Sequence, residues 1–137
     1  MDEVFLISRI LFAYLVIGSG VAHLTATDAM AGYAESRGLS NARLMTQVSG
    51  VLLLLGGVSI VLGIFGDVGA LGLALLLLVT AVLMHAFWKE SDPGAKQAEM
   101  VQFNKNVALA GGALAIFVLL STDFAPYTIT GALFDWY

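Results

Sequence analysis

The fold is decided by residues 44–65, which read LMTQVSGVLLLLGGVSIVLGIF. This stretch has no charged side chain, and about 20 mostly apolar residues are enough for a helix to cross a bilayer. Three further apolar stretches lie at residues 4–24, 68–88 and 103–123. Backbone groups in hydrocarbon must be paired within a helix or a closed barrel, and the alternation typical of barrel strands is absent. The sequence therefore predicts an all-α polytopic membrane protein with four transmembrane helices in a compact bundle.

The composition excludes several other classes of protein. Hydrophobic residues make up 59% of the 137 residues and charged residues 12%, whereas soluble domains carry about 25% charged residues. A chain this short cannot hide so much apolar surface from water. The absence of cysteine excludes disulfides and cysteine-ligated metals, and no metal site is expected. The net charge of −4 argues against nucleic acid as a partner and leaves membrane lipids and membrane proteins.

The basic residues predict how the chain is oriented. Five of the six lie in or beside the two longer loops: Arg37, Arg43, Lys89, Lys96 and Lys105. Because cytoplasmic loops are enriched in Lys and Arg, loops 25–43 and 89–102 are expected in the cytoplasm and both termini outside. We expect one multi-pass domain, residues 1–137, in the plasma or inner membrane, with segment 124–137 on the outer surface.

A weak internal repeat and a short loop helix are also expected. A shift of 62 residues superposes three pairs, which are His23 with His85, Arg43 with Lys105, and Gly50 with Gly112. The bundle could then consist of two parallel helical hairpins. Alternatively, the two halves resemble each other only because both are rich in apolar residues. Within the first loop, Thr27-Asp28 is expected to cap a helix that runs through Glu35 and is closed by Gly38.

Arg9 is the charged residue placed well within a predicted span. Such a charge usually faces protein or water. One interpretation is a structural salt bridge to Asp67 or Asp123, and the other is a guanidinium fork that holds a carbonyl or anionic group of a ligand. One helix face holds a stripe of small and polar residues that is expected to meet other helices. Its members are Arg9, Ala13, Val16, Gly20 and His23.

The two histidines are the main candidates for chemistry. His23 and His85 are expected near the cytoplasmic ends of their helices, where they could meet and bind a quinone, ligate haem iron or relay protons. Alternatively, each hydrogen-bonds loop backbone. Haem is disfavoured because these are the only two histidines and neither lies in an attachment motif. A quinone could also stack on Trp88, although aromatic residues at an interface more commonly anchor helices. The candidate quinone or lipid pocket thus comprises His23, His85, Arg9 and Trp88, and no catalytic residue is assigned.

Small residues recur at spacings that favour helix packing. The pairs are Gly18 with Ala22, Ala108 with Gly112, Gly111 with Ala115, Gly50 with Gly57, and Gly56 with Gly63. Such pairs let helix backbones approach closely, so we expect them to form contacts within the bundle.

Taken in order, these pieces resemble the DoxX family of small four-helix bacterial membrane proteins. The shared pieces are Arg9 with the stripe to His23, Gly38-Leu39, Leu55-Gly56-Gly57, Gly69-Ala70-Leu71, His85 with Phe87-Trp88, and Phe103-x-Lys105-Asn106 leading to Gly111-Gly112. The family takes its name from subunits of an archaeal thiosulfate:quinone oxidoreductase. Other members are linked to an oxidoreductase assembly with a sulfurtransferase and superoxide dismutase, or act in assembly or trafficking. The resemblance implies a membrane subunit and supplies no catalytic residues.

Three functions follow from these observations. The first is a non-catalytic accessory or scaffold subunit of a membrane redox complex, bound to partner subunits or to further copies of itself. The second is a quinone-binding subunit of a membrane oxidoreductase, with electrons supplied by another chain because this one has no evident redox centre. The third, a small transporter or channel, is disfavoured because Arg9 alone offers a poor ion path. Whether the protein is an enzyme stays open.

Overall fold

The computed structural model describes residues 1–122 and 125–134. These residues form five α-helices and one 3-10 turn, Phe87–Lys89. The helices are α1 (Asp2–Thr25), α2 (Thr27–Ser36), α3 (Ala42–Leu62), α4 (Gly66–Met84) and α5 (Pro93–Leu120). Helices α1, α3, α4 and α5 are long and apolar enough to cross a membrane. The predicted all-α class with four such helices is confirmed, and the described residues contain no strand.

The long helices pack as two pairs. Helix α1 lies mainly against α3 and α4 mainly against α5, and α3 meets α4 between the pairs. This is the arrangement expected of two hairpins. The apolar core at the centre includes Val16, Ile60, Leu73 and Leu120. We call the end of the bundle that carries α2 and residues 85–93 the loop end, and the end that carries residues 125–134 the tail end.

Glycines in α3 set the distance between the helices. A Cβ atom on Gly50 would lie 2.8 Å from the Cβ of His23, and one on Gly56 would lie 2.6 Å from the Cγ of Leu73. Real Cβ atoms do not approach so closely, so α1 and α4 can pack against α3 only because these positions lack a side chain. The packing role predicted for these two glycines is confirmed.

Other small residues face away from the bundle. Nothing lies within 4 Å of a Cβ built on Gly18 or Gly111, and Ala108 and Ala115 are also exposed. The prediction of packing within the bundle was wrong for these four residues, whereas a Cβ on Gly112 would lie 3.7 Å from the Phe12 ring of α1. The spacing identifies a helix face made of small residues, but it does not identify which neighbour packs against that face.

The ends of the helices differ from the predicted bounds. Helix α3 ends at Leu62 because Gly63 adopts a left-handed backbone with φ of 62°, so Gly66 and Asp67 belong to the first turn of α4 rather than to the connecting turn. Helix α4 ends at Met84, before the predicted residue 88. Helix α5 begins well before residue 103, at Pro93.

Local hydrogen bonds accompany the starts of α2 and α5, the two helices that begin at the loop end. The carboxylate of Asp92 caps α5 by accepting a hydrogen bond from the Ala95 N–H at 2.8 Å. Helix α2 has no side-chain cap, contrary to expectation. The Thr27 hydroxyl instead donates to the His23 carbonyl at 2.8 Å, because α2 starts directly after the last turn of α1. Gly38, with φ of 88°, follows α2 as predicted.

Candidate functional site

A cavity of about 110 Å³ lies between the four long helices near the loop end. Leucine and valine side chains line the part nearer the bundle centre: Leu15, Val16, Leu53, Leu76, Leu77 and Leu109. Polar side chains from the same helices line the remainder: Ser19, His23, Ser49, Thr80, His85, Lys105 and Asn106. The cavity therefore combines an apolar interior with a polar mouth, as ligand sites commonly do. His23 and His85 both line this cavity.

His23 is fixed by a hydrogen bond to α3. Its Nδ1 atom lies 2.8 Å from the Ser49 hydroxyl oxygen, and Ser49 donates its own proton to the Thr46 carbonyl at 2.9 Å. A hydroxyl has one proton, so the Ser49 oxygen accepts and His23 Nδ1 donates. In a neutral imidazole this tautomer leaves Nε2 as a hydrogen-bond acceptor.

His85 is fixed in the same way by a different group. It follows the last residue of α4, and its Nδ1 atom lies 2.8 Å from Oε2 of Glu99 in the early part of α5. Because a carboxylate can only accept, Nδ1 of His85 carries the proton. Its Nε2 atom makes no hydrogen bond with the residues that the structure describes.

Glu99 connects this histidine to the loop-end surface. Its Oε1 atom accepts hydrogen bonds from the Tyr33 hydroxyl at 2.8 Å and from Arg37 Nη2 at 2.6 Å. Arg37 also pairs with Glu90. Burial and the Glu99 carboxylate raise the pKa of the Tyr33 hydroxyl, and the Glu90 carboxylate raises the pKa of Arg37. This charged network joins α2, the α4–α5 connection and α5, and it holds His85 in place at the cavity.

Asn106 is the buried polar residue of the cavity lining. It is only 6% exposed, and its amide makes no hydrogen bond with any residue in the described part of the chain. The amide atoms are not fully enclosed, because the enclosed side-chain atoms without a partner in the described residues are Arg37 Nε and Asp67 Oδ1. Asn106 therefore offers both a donor and an acceptor to whatever fills the cavity. Lys105, the preceding residue, also lines the cavity, but its side chain is exposed and its Nζ donates to Gln102 Oε1.

The comparison with known families assigns the chain to one of them. The model of the DoxX family matches residues 4–86, more than half of the chain. The chain belongs to the DoxX family. The match includes His23 and His85 but not Lys105 or Asn106. Comparisons with curated proteins and with solved structures give no significant match.

Arg9 of this DoxX-family protein lies far from the cavity, at the tail end. It is fully buried and donates four hydrogen bonds of 2.8–3.0 Å to backbone carbonyls, those of Ile60, Val61, Pro126 and Tyr127. Carbonyls in the last turn of a helix lack helical partners, and a guanidinium can satisfy several at once. Arg9 therefore fastens the segment 125–134 to the end of α3.

The salt bridge expected between Arg9 and Asp67 does not form. The fully buried Asp67 instead accepts hydrogen bonds from the backbone N–H groups of Leu133 and Phe134, at 2.7 and 2.8 Å. It is a second attachment point for the segment 125–134. Asp123, the other acidic partner considered for Arg9, lies outside the described residues.

Trp88 also lies outside the cavity lining. Its ring packs edge to face against Phe87 and Phe103, with centroid distances of 5.2 and 5.7 Å. Of the four residues grouped as a candidate pocket, the structure thus brings together His23 and His85 and separates Arg9 and Trp88 from them.

Sequence reasoning did not assign a site role to Ser49, Glu99 or Asn106. Ser49 and Glu99 lie 26 and 14 residues from the histidines that they hold, and no local motif connects them. One available signal was that Glu99 and Asn106 share a face of α5 with other cavity residues, because residues seven apart lie on the same side of a helix. Among the described residues, no group of three or more His, Cys, Asp or Glu side chains could hold a metal ion.

Proposed function

We propose that this DoxX-family protein is a subunit of a membrane oxidoreductase that binds the ring of a quinone-class lipid in the cavity between His23 and His85. The observation that carries the proposal is that the Asn106 amide, which makes no hydrogen bond within the described residues, lines the same cavity as both imidazoles. Together these groups offer several hydrogen bonds to a polar ligand.

The size of the cavity favours a single ring. Drug-sized ligands occupy about 300–1,000 Å³, whereas an engineered cavity of about 150 Å³ accepts benzene. The present cavity, about 110 Å³, is smaller than the second value, so it admits at most one ring and leaves ring substituents outside it. The ring of a lipid quinone would contact Leu53 and Leu77, and its isoprenoid tail would extend into the surrounding hydrocarbon.

The polar lining supports binding of oxygen substituents on that ring. The Asn106 amide can donate to a ring oxygen, and the imidazoles of His23 and His85 offer further hydrogen bonds. A bound quinone would supply two-electron redox chemistry. This chain has no cysteine and only two histidines, so we expect another chain or a bound redox group to exchange the electrons.

Substitution of Asn106 tests this proposal. Asn106→Leu keeps the branched shape and the number of non-hydrogen atoms but removes the amide, and we expect it to weaken binding of a short-chain ubiquinone or ubiquinol about tenfold, the equivalent of one buried hydrogen bond. Binding would be measured by equilibrium retention in lipid nanodiscs. Asn104→Leu is the matched control, because Asn104 is exposed on the same helix. Equal affinity in both variants would reject the cavity as the binding site.

An accessory role is a second candidate, supported by a different surface. Ala108, Gly111 and Ala115 form a thin, exposed row on α5, and such a row permits close approach of another helix. Native mass spectrometry of the protein extracted from its own membrane separates the two proposals. Bound quinone supports the first, whereas stoichiometric protein subunits without quinone support the second.

A further inference from the structure

We infer that the cavity selects the reduced form of its ligand, a quinol with two ring hydroxyls, over the oxidised quinone. This inference rests on the proposed function, because it specifies the redox form that the same cavity holds. Its basis is the pattern of hydrogen-bond donors and acceptors that the bundle imposes on the two histidines.

Both imidazoles are held through the same ring nitrogen. His23 Nδ1 donates to Ser49, and His85 Nδ1 donates to Glu99. A neutral imidazole carries one proton, so each Nε2 is left with a lone pair. The two partners are a hydroxyl on α3 and a carboxylate on α5, yet they impose the same tautomer. The cavity therefore has two imidazole acceptors in its lining, and neither Nε2 has a partner in the described part of the chain.

A quinone does not match this pattern. Its carbonyl oxygens can only accept hydrogen bonds, so they could not pair with either Nε2 atom. A hydroxyl of a quinol can donate to Nε2 and at the same time accept from the Asn106 amide. A site whose acceptors receive hydrogen bonds from ligand hydroxyls discriminates against an analogue without those hydroxyls, because the acceptors of the site are then unsatisfied.

A metal cation is the other kind of group that two imidazole lone pairs could bind. Metal sites with imidazole ligands commonly have three or four protein ligands, and the described residues contain no group of three or more histidine, cysteine or carboxylate side chains that could hold a metal ion. A neutral quinol needs no third ligand. The donor set of the lining therefore favours the quinol.

The two histidines make a direct test possible. Because the chain contains no others, labelling with ¹⁵N-histidine and purification through a histidine-free tag give nuclear magnetic resonance signals from these two rings alone. At about pH 8, where an unperturbed imidazole is neutral, we expect both rings of the free protein in nanodiscs to carry the proton on Nδ1. Titration with decyl-ubiquinol should shift both Nε2 signals, and decyl-ubiquinone should bind at least about tenfold more weakly.

The outcomes separate this inference from the proposed function. Equal or tighter binding of decyl-ubiquinone, or a proton on Nε2 in the free protein, would overturn the inference and leave the proposed function standing. Failure of both compounds to bind would overturn both. Ser49→Ala removes the partner of His23 Nδ1 and should reduce the preference for quinol while the affinity for quinone changes little. Ser59→Ala is the matched control, because the Ser59 hydroxyl binds the backbone at the tail end, and it should leave the preference unchanged.

Discussion

Arg9 illustrates how a charge can be buried among transmembrane helices without an acidic partner. The guanidinium is fully buried, and its hydrogen bonds go to two carbonyls at the end of α3 and two in the segment 125–134. Hydrogen bonds from a charged donor contribute about 1.5–3 kcal/mol each. The planar group is suited to this task because its donors point in several fixed directions.

Arg9→Lys should therefore destabilise the protein although it preserves the charge. One ammonium cannot reach carbonyls on both segments, so we expect the free energy of unfolding to fall by about 2 kcal/mol or more and the segment 125–134 to become sensitive to protease. Thermal unfolding and limited proteolysis in mild detergent would measure both effects. Arg43→Lys is the control, since the Arg43 side chain is 64% exposed and surface ion pairs contribute about 0–1 kcal/mol. Equal behaviour of the two variants would contradict the role assigned to Arg9.

For single residues, the sequence predicted the helix face on which a residue lies better than it predicted the hydrogen-bond partners of that residue. The periodicity of α1 placed Arg9, Ala13, Val16 and Gly20 on one face, and all four are buried. The bonds of Arg9 were not predictable, because carbonyl groups have no sequence signature and its farthest acceptor is 118 residues away. The partners of His23 and His85 were missed for a similar reason, since they depend on how neighbouring helices rotate against each other.

Among the helices, contact between α1 and α3 depends on Gly50. An added Cβ there would meet the Cβ of His23 at 2.8 Å and the side chain of Leu24 at 3.0 Å. The same contact positions His23 at the cavity. Packing of these two helices and the geometry of the binding site are therefore coupled at one position.

Gly50→Ala should separate the two helices slightly, with a cost of about 1–3 kcal/mol from overpacking, and should displace His23. We expect a lower melting temperature together with weaker quinol binding. Gly111→Ala is a suitable comparison, because an added Cβ there meets nothing within 4 Å and alanine favours the helix by about 1 kcal/mol. If Gly50→Ala were as stable as Gly111→Ala, the close contact between α1 and α3 would be disproved.

Helix identity was easier to predict from sequence than helix boundaries or outward faces. Long apolar runs located all four membrane-length helices, since hydropathy over about 20 residues is a strong signal. The start of α5 was missed because its first turns are polar, and its cap, Asp92, depends on a single side chain. The small residues of α5 were assigned to the interior, although Gly111 faces outward, because spacing carries no information on which partner a face meets.

For the molecule as a whole, the orientation in the membrane is still a prediction based on the basic loops. The chain has no cysteine, so single cysteines can be introduced without further changes. Asp28 and Glu3 are suitable positions, with side chains 81% and 76% exposed, near opposite ends of the bundle. In intact cells a membrane-impermeant maleimide should label Glu3→Cys, and it should label Asp28→Cys only after the membrane is permeabilised. The reverse pattern would invert the predicted orientation.

The attachment of residues 125–134 by Arg9 has a consequence for biosynthesis. The first helix is made early, but two acceptors of its arginine, the carbonyls of Pro126 and Tyr127, follow 117 and 118 residues later. At typical translation rates this interval is on the order of ten seconds. Throughout it, the guanidinium lacks at least half of its final hydrogen bonds, so we expect the translocon or nearby lipid headgroups to shelter it. The hydrogen bonds that fasten the tail end to Arg9 can therefore form only after Pro126 and Tyr127 have been synthesised.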